Sequence, residues 1–432
     1  MSPDPKQYGK FEPGHSVESQ GRIQKRADRY RDMVGPFGEL SVTNLSSVLG
    51  PKSNYEVSII RDEIIEDGTK LDDPKDSTRV TTTNDGEYEL TNPADATAST
   101  IHQTARRGRY IPGYGGRAGI AFRRDSANAP EGNQVYEWGY FDTDDGFMFG
   151  EDADGIYIKR KSSGEVLDKV YQENWNHDTL DGSGDKTFVP DEPQNPSGHE
   201  LDLSDGHVFH IDYSWYGYGE IIFKIIEWDE WNKQEPITIH SMKSKNKPTI
   251  SDANLPIAYK IENNGTATEK NVYVSGRSYQ IMGNYEPDVR NKSWERIDFD
   301  VSETWQPVIS IRKKDDFKNV SVASAQYSVV SGADLIFHYR INTNLTGTNF
   351  TTPTYTSPKE TAMEVDREAT AVSGGERTAA LITSGGSGNQ NAASASDPQP
   401  LELPDSQQVT LCCRTISGTG SATVAFNWVE EW

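Results

Sequence analysis

The clearest pattern of hydrophobic and polar positions lies at residues 209–223, FHIDYSWYGYGEIIF. Apolar and polar residues alternate over 209–215, which predicts a strand with one buried face. Because glycine reaches backbone angles that other residues avoid, Gly217 and Gly219 allow the chain to reverse direction there. The apolar run at 220–223 then predicts the second strand of a β-hairpin.

Short segments of this kind recur from residue 38 onward, and most are set off by Gly, Asp or Asn. Those of the larger part of the chain include 118–122, 135–141, 146–149, 156–161, 166–172, 207–215, 220–228, 236–242, 256–263 and 271–282. The acidic stretch 176–206 between them predicts a long loop. Short strands with few helices are typical of antiparallel sandwiches. The sequence therefore predicts an all-β protein with a central jelly-roll-like β-sandwich.

A second, smaller β-sandwich is predicted at the C-terminus, after a boundary near residues 300–306. Its predicted strands are 308–313, 320–327, 334–341, 409–414 and 422–428. Residues 372–400 are rich in Gly, Ser, Ala and Asn, which predicts a flexible excursion between strands. The predicted division is an N-terminal arm with a basic helix at 1–37, the central sandwich at 38–304 and the C-terminal sandwich at 305–432.

The N-terminal arm contains the one convincing helix, predicted over residues 22–34. Ile23, Ala27, Tyr30 and Val34 recur at helical spacing. The helix is basic in an acidic chain, and its cationic side chains include Arg22, Lys25, Arg26 and Arg29. One hypothesis is that this arm docks onto an acidic partner subunit; the alternative is a solvated helix face.

Acidic residues outnumber basic ones, 66 Asp and Glu against 43 Lys and Arg, so the formal net charge is −23. Because nucleic-acid phosphates must be met by Lys and Arg, the balance argues against a nucleic-acid partner. Concentrated salt screens such repulsion, with a Debye length of about 3 Å at 1 M. The composition favours a protein of a salt-rich environment over an ordinary acidic protein.

The two cysteines, Cys412 and Cys413, are neighbours. Adjacent strand residues point to opposite faces, so a disulfide between them would be strained, and the spacing does not fit a zinc site. No apolar run approaches 18 residues, which argues against membrane insertion. The first 15 residues lack the apolar core of a secretory signal, so we expect folding inside the cell that makes the chain.

Three polar residues of the hairpin, His210, Asp212 and Ser214, lie at i, i+2 and i+4 and share one strand face. They resemble a catalytic triad, but alternate strand residues are roughly 7 Å apart and a nucleophile–base contact needs about 3 Å. We interpret them as polar positions opposite a buried apolar face. No catalytic residue is predicted.

Acidic turns offer the oxygen ligands that calcium prefers, with Asp142 and Asp144 in one turn and Asp178 and Asp181 in another. Neither the turn at 142–146 nor a similar acidic turn at 151–155 continues into an EF-hand, and solvated acidic turns are the alternative. A structural cation such as calcium or magnesium is therefore a weak hypothesis, and no other cofactor is predicted.

Aromatic residues cluster around the hairpin, and Tyr218 lies at its turn. Carbohydrate-binding modules present such rings to sugars, whereas most rings of a β-sandwich belong to its core. A pair of carboxylates could cleave glycosides, but acids are so abundant in this chain that their presence does not indicate such an enzyme. Tyr218 is the aromatic candidate for partner binding.

Four stretches occur in a fixed order over residues 36–300. They are PFGELSV at 36–42, QTARRGRYIPG at 103–113 followed by WGYFD at 138–142, WNHDTLDGSG at 175–184, and ANLPIAYKIEN at 253–263. Together they resemble a family of virion structural proteins from tailed double-stranded DNA viruses. The chain departs from that family at Glu39 and Ala258, where the family has arginine.

The resemblance implies a non-enzymatic virion structural protein, assembled in the host cytoplasm, and the acidic composition would suit a virus of salt-loving archaea. A head turret or vertex decoration is the first expectation, and a baseplate or tail-fibre protein for host adsorption is the alternative. A further alternative, from a different functional class, is a virion protein that binds or degrades glycans. The expected partners are other virion proteins through the arm, further copies in a symmetric homo-oligomer, and a host surface glycoprotein.

Overall fold

The structure of the protein is a computed structural model. It describes residues 46–49, 62–83, 85–110, 114–184, 194–214, 217–228, 234–244, 248–282, 289–317, 320–354, 360–383, 391–403 and 407–431. The predicted arm and helix at 1–37 lie outside these residues, as do the basic side chains of that helix. Their anchoring role stays a prediction.

The chain forms two compact units, Met1–Tyr285 and Glu286–Trp432. The N-terminal unit contains β1 (Ser46–Leu49), β2 (Asp62–Glu66), β3 (Thr69–Lys70), β4 (Val80–Thr82), β5 (Tyr88–Asn92), β6 (Ser99–Thr104), β7 (Gly115–Arg123), β8 (Val135–Phe141), β9 (Gly146–Asp152), β10 (Gly155–Ser162), β11 (Glu165–Tyr171), β12 (His207–Tyr213), β13 (Glu220–Trp228), β14 (Gln234–Lys243), β15 (Ile257–Glu262) and β16 (Lys270–Met282). Among the described residues of this unit, three short 3₁₀ helices join the strands, at Pro74–Asp76, Ser126–Asn128 and Gln172–Asn174.

These strands form two antiparallel sheets that enclose one core. Sheet I has the order β14-β13-β12-β7-β16-β5-β4, with β1 also paired to β16, and sheet II has the order β11-β10-β9-β8-β15-β6-β2-β3. Buried side chains of both sheets belong to a single hydrophobic cluster. This arrangement confirms the predicted all-β sandwich.

Aromatic side chains fill the space between the two sheets. Phe122 of β7 stacks on Trp138 of β8 with ring centroids 3.9 Å apart and an interplanar angle of 3°. Phe209 of β12 meets the same indole edge-on at 5.2 Å, and Phe149 of β9 lies 6.1 Å from it. Each of these rings is buried because strand alternation directs every second side chain inward.

The predicted hairpin is formed by β12 and β13. Tyr213 pairs with Ile221, and the pairing continues without a shift to Val208 and Ile226. On β12 the side chains of Phe209, Ile211 and Tyr213 are buried in the core, as the alternation predicted.

The C-terminal unit contains β17 (Val289–Val301), β18 (Gln306–Lys313), β19 (Ser321–Ser331), β20 (Leu335–Thr346), β21 (Met363–Asp366), β22 (Ala371–Thr383), β23 (Asn391–Glu402), β24 (Gln408–Thr415) and β25 (Gly420–Glu431), with a 3₁₀ helix at Asp315–Phe317. Sheet III has the order β17-β25-β19-β23, and sheet IV the order β21-β18-β24-β20-β22. The two sheets share a second hydrophobic cluster that includes Tyr327, Phe337 and Phe426.

Two sequence-based expectations differ from the structure. The units divide after Tyr285 rather than at residue 304, because β17 pairs along the last strand, β25. The predicted flexible excursion 372–400 contains two long strands, β22 and β23. Small and polar residues form strands there because β20 and β19 supply hydrogen-bonding partners, and strand propensity is weak beside such tertiary pairing.

The two neighbouring cysteines carry free thiols, as their strand positions predicted. Cys413 belongs to the core cluster, whereas Cys412 pairs with His338 on β20. Burial raises the pKa of each thiol to about 12. Within the described part of the chain, no helix has the length and apolarity needed to cross a bilayer.

Replacing Trp138 with alanine should destabilise the N-terminal unit. The indole is fully buried and contacts rings from both sheets, so its loss leaves a cavity that neighbouring strands cannot fill. We expect the free energy of unfolding to fall by about 3–5 kcal/mol, measured by urea denaturation followed by circular dichroism. Val166→Ala, at a side chain 55% exposed, is the control and should change it by less than about 0.5 kcal/mol. Equal denaturation midpoints for Trp138→Ala and the wild type would contradict this account of the core.

Candidate functional site

Several connections meet at one end of the N-terminal sandwich. Arg107 donates to Asp142 Oδ2 at 2.8 Å and to the carbonyl of Asn254 at 3.0 Å, and the Tyr110 amide donates to Asn254 Oδ1 at 2.9 Å. The backbone of Ser251 in turn donates to Asp145. We call this surface the loop end and define it by the segments 104–110, 142–145, 217–219 and 248–256.

The loop end contains parts of three stretches that carry the sequence resemblance, those at 103–113, 138–142 and 253–263. The stretch at 175–184 lies elsewhere: the His177 amide donates to the carbonyl of Ile239 on β14 at 3.0 Å. The stretch at 36–42 lies outside the described residues. Parts of three of these stretches therefore meet in the loops at one end of the sandwich.

Three buried tyrosines lie beneath the loop end and hydrogen-bond to one another. The hydroxyls of Tyr213 and Tyr279 are 2.9 Å apart, and that of Tyr213 donates to Tyr140 at 3.2 Å. Tyr140 and Tyr279 donate onward to the carbonyls of Ala253 and Arg109. Burial raises all three pKa values, that of Tyr279 to about 12, so the phenols stay protonated and fix these loops.

Tyr218 is presented at the turn of the hairpin with 56% of its side chain exposed. The Thr249 amide donates to the carbonyl of Gly217 at 2.7 Å, and its hydroxyl donates to that of Gly219 at 3.2 Å. Gly217 has φ +79°, a left-handed angle that favours glycine. Arg160 donates to the carbonyl of Thr249 at 3.3 Å. The turn is therefore tethered on both sides of an exposed aromatic ring.

The polar face of β12 is occupied by ion pairs. Asp212 accepts from Arg117 Nε at 2.6 Å and Nη2 at 2.8 Å, and Lys224 Nζ lies 3.0 Å away. Although burial raises its pKa, these cations outweigh burial and hold the pKa at about 2. The register confirms that His210 and Asp212 lie on the outer face, opposite the core residues. Asp212 is nevertheless buried beneath its partners rather than solvated.

The acidic turns use their carboxylates to cap backbone amides. Asp142 accepts from the amides of Asp144 and Asp145 as well as from Arg107. Asp178 accepts from the amides of Leu180 and Ser197 at 3.0 Å, and Asp181 accepts from the amide of Ser183 and from Asn195. Across the described segments, no group of three or more His, Cys, Asp or Glu side chains is placed to hold a metal ion.

The residues that hold this surface were not found from the sequence. Arg117 and Lys224 lie 95 and 12 positions from Asp212, and strand register brings them together. Thr249 lies 30 positions after Gly219, and a loop contact brings it to the hairpin turn. The alternation of apolar and polar residues along 115–123 could have predicted that Arg117 lies on a polar face. It could not have predicted that Arg117 pairs with Asp212 on another strand.

No protein-family model and no curated protein matches the chain. Among solved structures, it is similar to a protein of unknown function, SO2946 from Shewanella oneidensis MR-1, at 10% identity and TM-score 0.33, over 63% of this chain and 97% of that one. A legume lectin-like domain from Entamoeba histolytica matches at 12% identity and TM-score 0.32, over 55% and 98% of the two chains. Peanut lectin with a 9mer peptide matches at 8% identity and TM-score 0.30, over 54% of this chain and 97% of the lectin chain.

Asp212 makes the stability of the N-terminal unit depend on acid pH. Its folded pKa of about 2 is below its ordinary value of 3.8, so its stabilisation is present above the ordinary value and is lost as pH falls through the folded one. We expect urea denaturation of Asp212→Asn to show a flatter pH dependence between about pH 5 and pH 2.

At neutral pH the same variant should be about 3–5 kcal/mol less stable, because Arg117 and Lys224 lose their counter-charge. Asp154→Asn, in an exposed turn, is the control and should follow the wild-type pH curve. If Asp212→Asn kept the wild-type pH dependence of the free energy of unfolding, the acid sensitivity would have to come from another group.

Proposed function

We propose that the chain is a non-enzymatic glycan-binding protein and that the loop end is its binding surface. The observation that carries this proposal is Tyr218, an exposed ring on a turn that Thr249 tethers from both sides. The C–H groups of a sugar ring pack against such aromatic faces. Because the backbone on both sides of Tyr218 is already fixed by Thr249, little backbone freedom of the turn is lost when a ligand binds.

The placement of Asp142 and Asp212 supports a structural role for these two acids rather than a catalytic one. Asp212 is held ionised by Arg117 and Lys224, and Asp142 bonds to Arg107 and its own turn. A carboxylate stabilised in its charged form is a poor proton donor near neutral pH. These two acids therefore fit a structural role at a recognition surface.

We further propose that the protein acts on the surface of a virus particle. The support is the ordered set of sequence stretches at 36–42, 103–113, 175–184 and 253–263. Glycan recognition fits a baseplate or tail-fibre protein that adsorbs to a host glycoprotein, and a head turret or vertex decoration is the second placement. The arm at 1–37 would attach the chain to other virion proteins.

Replacing Tyr218 with alanine should weaken glycan binding by about tenfold or more, because the exposed aromatic ring that the proposal places against the sugar is lost. The measurement is the apparent Kd for host surface glycoprotein, before and after periodate oxidation of its sugars. We expect Tyr218→Phe to bind like the wild type and periodate to abolish binding by both. Val166→Ala, a matched loss of an exposed apolar side chain, should leave Kd unchanged.

Two results would reject this function. Binding that survives periodate, or that is equal in Tyr218→Ala and the wild type, would show that the loop end does not recognise sugars. Release of reducing ends during incubation would show that the protein is an enzyme.

Deleting residues 1–34 should stop incorporation of the chain into particles while both sandwiches still fold. The expected reason is the loss of the basic side chains Arg22, Lys25, Arg26 and Arg29. Particle incorporation is measured by mass spectrometry of purified particles, and folding by circular dichroism. Normal copy numbers of the shortened chain would reject the anchoring role of the arm.

A further inference from the structure

The outer face of sheet IV gathers cationic and apolar side chains in an otherwise acidic chain. Strand register places nine residues there in three rows: Arg414, Ile336 and Ile382; Cys412, His338 and Ala380; Thr410, Arg340 and Arg377. None of these nine positions on β24, β20 and β22 is acidic, although the chain has a net charge of −23. Cys412 and Thr410 are fully buried, so the other seven residues form the exposed part. The acids of this outer face, Glu364 and Asp366, lie on β21 at its other side. We call the nine residues together with Trp305, which precedes β18, the cationic face.

Trp305 lies at the centre of the cationic face. Its indole stacks on His338 with centroids 4.0 Å apart and an interplanar angle of 28°. The guanidinium carbons of Arg340 and Arg414 lie 4.9 and 5.3 Å from the indole centroid. Burial, together with Arg377, Arg340 and Arg414, lowers the pKa of His338 to about 4, so the positive charge at neutral pH comes from the arginines.

Apolar side chains are exposed on and beside this face. Ile382 is 65% exposed, and Ile416, at the end of β24, is 48% exposed. Removing apolar surface from water is favourable, so burying these two side chains at an interface would stabilise that interface. Tryptophan and arginine flanked by exposed isoleucines are typical of the central residues of protein–protein interfaces.

The face continues to an open sheet edge. β22 is the last strand of sheet IV, and its far side pairs with no other strand among the described residues. Its segment 378–383, TAALIT, contains neither a charge nor a proline, the usual devices that protect an edge strand. An interface covering the cationic face would also shield this edge.

We propose that the cationic face binds an acidic surface of a second copy of this chain. Charge complementarity carries the choice of partner, because 66 acidic residues against 43 basic ones give each copy a net charge of −23. Such a contact joins two different surfaces, and repetition by a rotation closes a ring. A sugar is a poorer fit, since the nine positions contain no carboxylate or amide side chain to accept hydrogen bonds from its hydroxyls.

Sedimentation velocity of the full chain over a range of concentrations tests this interface. We expect the wild type to associate into a discrete oligomer. The double variant Arg340→Glu/Arg414→Glu and the single variant Trp305→Ala should each raise the dissociation constant about thirtyfold or more. Ile382→Ser, at an exposed position, should weaken association without loss of folding.

Arg367→Glu is the matched control for the charge reversals. Arg367 also lies over an indole of the same unit, that of Trp294 at 5.3 Å, but it follows β21 and is outside the cationic face. It should associate like the wild type. Tyr218→Ala should also associate normally, so this test is independent of glycan binding.

The proposal is overturned if the wild type sediments as a monomer at all concentrations, or if the double variant associates as the wild type does. It is also overturned if the wild type stays monomeric but binds heparin through these arginines, because the face would then be a polyanion site. Circular dichroism of each variant establishes that weaker association does not reflect unfolding.

Discussion

The packing of sheet I against sheet II through one aromatic layer is the constraint on which the N-terminal unit depends. Phe122 and Trp138 belong to different sheets and stack 3.9 Å apart, and Phe209 meets the same indole edge-on. Because side chains alternate along a strand, burying these rings decides which residues of each strand face outward. The outer position of Asp212 and the placement of the loops above Tyr140 and Tyr213 follow from it.

Charge pairing is the second constraint, since acids exceed bases in the whole chain. Many cations of the N-terminal unit lie beside carboxylates: Arg117 with Asp212, Arg123 with Glu87, Arg124 with Glu151 and Arg160 with Asp168. Even the core contains such a group, where His102 and Arg277 flank the buried Asp62. Against this background, Arg340, Arg377 and Arg414 stand apart, because none of the nine positions that β24, β20 and β22 contribute to the outer face of sheet IV is acidic. This contrast carries the inference of an interface.

Alternation in the sequence predicted the strands whose apolar residues face one core, and β8 and β13 have the predicted bounds, 135–141 and 220–228. It did not predict β22 and β23, because their alanine, serine and glycine form strands only through pairing with β20 and β19. The surfaces proposed to bind were partly predictable, since the position of Tyr218 in a turn pointed to an exposed ring. The contacts of Trp305 with His338 and Arg414 join positions far apart in the chain, and no local pattern encodes them.

The two proposed surfaces would act together. A single exposed ring such as Tyr218 supplies only part of a hot spot, and shallow contacts with sugars are weak when made one at a time. If copies associate through the cationic face, each oligomer carries several loop ends, and the second sugar contact becomes intramolecular. Effective concentration then raises avidity by about 10²–10⁴ without any new contact, provided that the geometry allows simultaneous engagement. A modest site in each N-terminal unit therefore suffices for firm attachment when the C-terminal units assemble.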